Sequence, residues 1–513
     1  MNDKLDLKGC YARLREDLQQ IDNYVQQITA DAYRNVYLVS NPVLSRNPFA
    51  SSLLHNFLFH IPERDINVMG VAWKLIQFYL KSTLYFVNHF LTWMIVRIFF
   101  RAVFRRAADP VIIDNFLLVE STLASHSYEE KYFPGLRETL LRRGKDAYIF
   151  PCLYGRVALW NKCLELFGVI RRAPAVIITE YDLLKAADYL SLAQFICFYP
   201  LAVIRLSRQI EPSGYLGKLL SSELLETLDR MTAHSYVRYL SGKRLAGLFE
   251  GKITVISWFE NQAQQKNFYR GLKEAAQNSS IYACRSYIDY PAYLNSFVAE
   301  LEGASGVVPN KVLVNGTAYM KHSENLEYRL GVSFRYKYLF DPMVALSGNR
   351  MQCLLLFSYF YERNKELLKL CSASILASQA VKVRTHPADT RSSQFVLPAG
   401  WIYDASDKSG AFSNAAIIIT SESGIAVEAA ALGVSVIVVA SQSSFTCNPM
   451  FDCGRGVIWE LVFNSDELNN AYNNLLEQRT TNIEGIKQAA EWYKSSCFVE
   501  PTEENIVRAF DLA

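Results

Sequence analysis

Between Asp65 and Asp109 the sequence has no aspartate or glutamate at all. Packing alone does not explain an acid-free window of this length, which holds Lys74, Lys81, Arg97, Arg101, Arg105 and Arg106 in a strongly aromatic setting. Other things are missing too. Ten cysteines, at positions 10, 152, 163, 197, 284, 353, 371, 447, 453 and 497, form no CxxC pair, which argues against a zinc site or disulfide frame and for reduced, cytoplasmic thiols. The first residues, MNDKLDLKGCYARLRED, contain no apolar signal core. The P-loop pattern GxxxxGK, HExxH, GxSxG and GxGxxG are all absent, which disfavours P-loop, zinc-protease, nucleophile-elbow and dinucleotide chemistry. No DxD pair stands in a plausible loop, which speaks against the metal-dependent class of nucleotide-sugar enzyme. The net charge of +3 points to neither nucleic-acid binding nor disorder.

What is present fits a globular protein of two or three domains: 513 residues, half of them hydrophobic and a fifth charged. In the acid-free segment, Lys74, Lys81 and Asn88 recur every seven residues and share one helical face, while Arg97, Arg101 and Arg105 recur every four. The spacing predicts a helix or helix pair over 66–108 lying on an anionic membrane surface. A buried helical subdomain with snorkelling lysines is the second reading. A membrane span is the third, since the uncharged run from Ser82 to Val96 is short and contains His89.

From about residue 110, short apolar runs alternate with amphipathic helices, the pattern of parallel α/β layers. Strands are expected at 111–113, 116–119, 147–150, 175–178, 253–256 and 281–283, with one long helix from Leu216 to Leu240. After a linker-like Gly303–Gly306, a second α/β run has strands at 311–314, 353–357, 380–383, 416–419 and 434–439. The expected organisation is an N-terminal helical region (1–109), a Rossmann-like acceptor domain (110–305), a Rossmann-like nucleotide-sugar domain (306–480) and a C-terminal helix packing back (481–513).

Two strand ends in the second run carry chemistry. Arg384, Thr385, His386 and Pro387 close one strand; Ser421, Glu422, Ser423 and Gly424 close another and open a helix containing Glu428. An imidazolium, serine hydroxyls and helix N-terminal amides suit a phosphate. Glu428, flanked by Val427, Ala429 and Ala430, needs a partner such as ribose hydroxyls. Read blandly, these are a His-Pro turn and a serine cap. In the first run, Glu260 follows a strand within Trp258-Phe259-Glu260-Asn261-Gln262, a position for a general base or nucleophile. Gln262 and Arg270 are candidate supports. The bland reading of Glu260 is an acid capping the next helix.

His386-Pro387 followed by Ser423-Gly-x-x-x-Glu428-Ala-x-x-x-Gly433 resembles the C-terminal lobe of GT-B glycosyltransferases of bacterial surface polysaccharides. It is most similar to those using CMP-activated ulosonic acids, the capsule Kdo transferases and bacterial sialyltransferases. The resemblance covers residues 110 to 480, with Gly424 standing where that group has a second serine or threonine. It implies two Rossmann-type domains facing a cleft, with the CMP phosphate held by His386, Arg384, Pro387, Ser421, Ser423 and Gly424. It also implies that a carboxylate of the other lobe acts at the sugar, where Glu260 matches by position. No metal and no cofactor are expected. The implied partners are a CMP-linked sugar donor, a glycan or glycolipid acceptor and the inner face of the cytoplasmic membrane. Two other readings stay open: a CDP-polyol phosphotransferase of teichoic-acid type, and a non-enzymatic membrane scaffold.

Overall fold

The computed structural model describes residues 7–45, 53–58, 68–103, 107–155, 161–290, 298–341, 352–386, 389, 391–406, 408–442 and 445–512. Fourteen strands are described: β1 (Val111–Asp114), β2 (Phe116–Leu118), β3 (Ala147–Ile149), β4 (Cys152–Tyr154), β5 (Thr254–Trp258), β6 (Ser280–Arg285), β7 (Lys311–Val314), β8 (Glu327–Leu330), β9 (Gln352–Leu356), β10 (Val381–Arg384), β11 (Trp401–Tyr403), β12 (Ala415–Thr420), β13 (Ser435–Val439) and β14 (Trp459–Val462). They form one six-stranded sheet in the order β3-β1-β5-β6-β7-β8, a second in the order β11-β10-β9-β12-β13-β14, and a small β2-β4 pair. Every pairing is parallel. Parallel sheets are covered on both faces, which is why β12 reads Ala-Ala-Ile-Ile-Ile-Thr and is buried throughout. Alternate residues divide between two cores. Leu354, Leu356, Ile418 and Val436 join a cluster shared with Ile112, Val255 and Ile281 of the first sheet. Leu355, Val383, Ile417 and Ile437 face the other way. The chain therefore has two Rossmann-type lobes facing a cleft, the GT-B arrangement, with helices at its N-terminus.

The lobe boundary differs from expectation. Lys311–Val314, expected to open the second lobe, pairs with β6, and β8 adds to it, so the second sheet starts only at β9. The Gly303–Gly306 turn joins two strands of one sheet and is not an inter-lobe linker. Ala175–Ile178 makes only a single bridge, Ile177 to Ile149. The helix expected over Leu216–Leu240 is two helices, Gly214–Glu226 and Ala233–Ala246. The Thr227 hydroxyl bonds the Leu224 carbonyl at 2.9 Å, competing with the helical ladder at the break. After helix Ile483–Cys497, helix Glu503–Ala509 returns to the first lobe, where Ile506 and Phe510 pack with Trp258, Tyr282 and Phe334.

The N-terminal region is not a separate unit. Ile21 and Val25 of helix Leu7–Ala32 share a core with Phe78 of helix Val68–Phe99, Phe195 and Tyr199 of helix Ala186–Ile210, and Leu220 of helix Gly214–Glu226. The lysine face is engaged by the protein itself. Lys74 pairs with Glu226 at 2.9 Å, and Lys81 donates to the Asp229 carbonyl at 3.0 Å. Arg97 donates to the Leu184 carbonyl at 2.8 Å, and the helix ends at Phe99, so Arg101 lies beyond it and Arg105 falls outside the described residues. Among the described residues, helix Ala186–Ile210 is the one long and apolar enough to cross a membrane by length and composition. Within this fold it buries Tyr189, Phe195 and Tyr199, and its Asp188 pairs with Arg244 at 2.7 Å.

Helices Ala233–Ala246 and Ala263–Ala275 cross at backbone contact. A Cβ on Gly271 would lie 2.0 Å from the Tyr239 carbonyl oxygen, and one on Gly242 would lie 2.5 Å from that of Phe268. Gly271→Ala forces the helices apart, with an expected cost of at least about 1–3 kcal/mol, read as a lower unfolding midpoint. Lys266 and Glu302 form an ion pair with no solvent exposure. Glu302→Ala strands the ammonium and is expected to cost about 3–5 kcal/mol in denaturant titration.

Candidate functional site

A cavity of about 480 Å³ opens between the lobes, at the carboxyl ends of both parallel sheets. Its first wall comes from the first lobe: Trp258 and Glu260 after β5, Tyr287, Ile288 and Tyr290 after β6, and Arg335 and Tyr336. Its second wall comes from Ser358, Tyr359 and Phe360 after β9, Arg384, Thr385 and His386 after β10, and Glu422, Ser423, Gly424 and Glu428 after β12. Carboxyl-end crevices are where open α/β sheets expose loops and unpaired backbone amides.

Glu260 is partly buried in an aromatic corner. Trp258 donates its indole N–H to Oε1 at 2.9 Å, and the Gln262 side chain donates to Oε2. Burial raises the carboxyl pKa above its ordinary value, while these hydrogen bonds and the charges of Arg335 and Arg285 pull it back. Gln262 thus supports Glu260 as expected. Arg270 does not: it points to the Tyr33 carbonyl at 2.5 Å and to Glu274 at 2.8 Å, away from the cleft. At ten residues from Glu260, it sits on the flank of its helix that faces the segment following the N-terminal helix. Of the two cations acting on Glu260, Arg335 has the larger effect, and its guanidinium lies 5.4 Å from the Trp258 ring centroid.

On the opposite wall, burial lowers the His386 pKa, and Asp389 partly restores it. The Asp389 N–H donates to the His386 carbonyl at 2.9 Å. Asn364 braces both neighbouring loops: its amide donates to Asp389 at 3.0 Å, and its carbonyl accepts the Ser358 N–H at 2.8 Å. Burial opposes the Asp389 charge, but hydrogen bonds from Ser392 and Asn364 hold its carboxyl below the usual value. Tyr359 packs edge-on against the His386 ring, with centroids 5.8 Å apart. Pro387 lies outside the described residues.

Four expectations change in detail. Arg384 lines the cleft, but its charge is shared with Asp404 at 3.2 Å, and it also donates to the Ser406 carbonyl at 2.8 Å. Ser421 is 2 % exposed and does not line the cavity, so its hydroxyl is behind the wall. Ser423 lines it and caps the Ile425 N–H at 3.4 Å. Gly424 lines the cavity and also meets the other lobe: a Cβ there would lie 2.9 Å from Ile288 Cβ. Glu428, on a helix of only seven residues, accepts the Tyr338 hydroxyl from the first lobe, so its partner within the protein is a tyrosine.

The sequence reading missed Ser358, although it follows the strand expected at 353–357 and met the same criterion as His386. Arg335 and Tyr338 carry no motif; only the fold brings Ser333–Phe340 to the cleft. The arrangement sets a carboxylate of raised pKa and an arginine on one wall against an imidazole and hydroxyls on the other. That permits proton abstraction on one side and anion binding on the other.

No family model and no curated protein matches the sequence. Solved structures match at the level of fold. UDP-GlcNAc 2-epimerase from Neisseria meningitidis bound to UDP-GlcNAc is 14 % identical and is matched over 79 % of this chain and 98 % of that one, with a TM-score of 0.37. The wall teichoic acid polymerase TagF is 10 % identical over 85 % of this chain and 96 % of that one, with a TM-score of 0.37. The glycotransferase of kitacinnamycin is 11 % identical over 79 % and 100 %, with a TM-score of 0.35.

An anion bound against His386 favours the imidazolium. The free imidazole, with its lowered pKa, takes up a proton on binding. Binding of a phosphate anion here is therefore expected to be accompanied by proton uptake, and His386→Gln to abolish that uptake, both read by isothermal titration in buffers of different ionisation enthalpy.

Proposed function

We propose that this chain is a glycosyltransferase that binds a nucleotide-sugar donor across the inter-lobe cleft. The observation that carries the reading is the placement of Glu260 and of His386 with Ser423 on opposite walls of one cavity. The nucleotide phosphate lies on the second lobe, against His386, Ser423 and Ser358. The reacting sugar lies toward Glu260, and Glu260 takes the proton of the acceptor hydroxyl. A carboxylate raised by burial is a stronger base than an exposed one, which suits that role. As the phosphate departs, charge develops beside His386, where a preorganised donor is worth roughly 2.7–4 kcal/mol.

For the donor we favour a CMP-linked ulosonic acid such as Kdo or sialic acid. These sugars carry a carboxylate, and Arg335 places a cation beside Glu260, where an anionic sugar needs one. The corresponding acceptor is a lipid-linked or oligosaccharide chain of bacterial surface polysaccharide. Transfer of a polyol phosphate from a CDP donor would use the same phosphate wall and would set a phosphoryl anion, in place of a carboxylate, beside Arg335.

A thermal-shift screen separates these. CMP and CMP-sialic acid or CMP-Kdo are expected to raise the melting temperature, and CDP-glycerol to do so less. A larger shift with CDP-glycerol favours the second reading, and no shift with any nucleotide removes both. Glu260→Gln is expected to lower kcat by about 10²–10⁴-fold with KM little changed, and Arg335→Gln to weaken the CMP-sugar but not CMP.

A further inference from the structure

Helix Val68–Phe99 engages Lys74 and Lys81 with Glu226 and the Asp229 carbonyl and leaves a row of apolar side chains facing out. Met69, Trp73, Ile76, Leu80, Leu84 and Val87 recur at three- and four-residue steps along one stripe, about 27 Å long at 1.5 Å per residue. They are not marginally exposed: Trp73 is 58 %, Leu80 61 % and Leu84 62 % exposed. Helix Ala186–Ile210 runs antiparallel beside it, as the Tyr79 hydroxyl bond to the Cys197 carbonyl (3.3 Å) and the Trp93 indole bond to the Leu184 carbonyl (2.9 Å) show. That neighbour adds exposed Leu190, Phe198 and Leu201. The two neighbouring helices thus both expose large apolar side chains, of a kind that soluble monomers rarely leave open in number, with Phe198 and Leu201 bordering the groove against helix Leu7–Ala32.

The charges around them select the occupant. Neither helix has an exposed acid: Asp188, the sole acidic residue of the pair, is buried against Arg244. Exposed cations stand at both ends, Lys185 and Arg101 at one and Arg205 and Arg208 at the other. Two helices whose exposed charges are all basic complement an anionic lipid surface, with Asp31 and Glu211 standing only beside the Arg205 end. A second copy would set the same cations against each other.

We infer that the paired outer faces of helices Val68–Phe99 and Ala186–Ile210 insert side by side into the surface of an anionic bilayer. Both helices lie in the interface, because their opposite faces are committed to the protein core through Phe78, Phe195 and Tyr199. The inference is independent of the reaction proposed for the cleft.

The test is flotation of the full-length protein with vesicles of phosphatidylcholine, with and without phosphatidylglycerol, including vesicles of brominated lipid. The wild type is expected to float with the anionic vesicles, and brominated lipid to quench a part of its fluorescence that Trp73→Phe removes. Leu80→Glu/Leu84→Glu is expected to weaken binding by at least about tenfold with an unchanged melting curve, because both side chains already face solvent. Arg205→Glu/Arg208→Glu is expected to remove the preference for anionic lipid. Unchanged flotation of the Leu80/Leu84 variant overturns the inference, as does quenching that survives Trp73→Phe. Failure of the wild type to float, with a lipid-free dimer that the Leu80/Leu84 variant splits, assigns the face to a second copy instead.

Discussion

The first lobe depends on two helices touching backbone to backbone. At Gly242 and Gly271 there is no room for a methyl group, so helices Ala233–Ala246 and Ala263–Ala275 sit closer than side-chain packing normally allows. That proximity decides where their other residues fall. From the first helix, Arg238 reaches Asp114 at the end of β1 and lies between the rings of Phe150 and Phe268. From the second, Lys266 reaches Glu302 and lies over the ring of Tyr33, which anchors the N-terminal helix. The first turn of the second helix also supplies Gln265, whose side-chain carbonyl accepts the Gln262 N–H at 2.7 Å and fixes the loop that carries Glu260. A spacing set by two missing side chains is thus transmitted to the cleft.

In the cleft, burial acts on both walls in the same sense, toward neutrality. It raises Glu260 and lowers His386. Arg335 and the Trp258 indole oppose it on one wall, and Asp389 opposes it on the other. The fixed partners are those that are hard to displace: Asn364 is fully buried, and Gly424 is pressed against Ile288. Such a site favours the neutral form of each group and leaves a ligand's charge to oppose that bias.

How much of this was legible depended on whether the signal was local. His386, Ser423 and Glu260 were found because a parallel sheet gathers the ends of its strands on one edge, so three residues distant in sequence could be placed together from strand patterns alone. Arg270 was not placed correctly, because a position ten residues along a chain says little about which flank of a helix faces a loop. Ser421 and Ser423 look equivalent as letters, yet only one faces the cavity. Which face of the acid-free helix meets the rest of the protein was not legible for the same reason. Lys74 and Lys81 find Glu226 and Asp229 about 150 residues later, and no local pattern announces that pairing. The lobe boundary was misplaced because Lys311–Val314 is as strand-like in one sheet as in the other.

The chain passes between the lobes twice, and the two passages lie together. The Ser333 N–H donates to the Val499 carbonyl at 2.9 Å, the Val499 N–H donates to the Ser333 hydroxyl at 3.0 Å, and the Tyr336 and Phe498 rings meet 5.0 Å apart. The two crossings are clasped to each other beside a core that Leu354 and Ile418 of one lobe share with Val255 and Ile281 of the other. Helix Glu503–Ala509, though remote from the cavity, is thereby tethered to the join that sets the spacing of its walls.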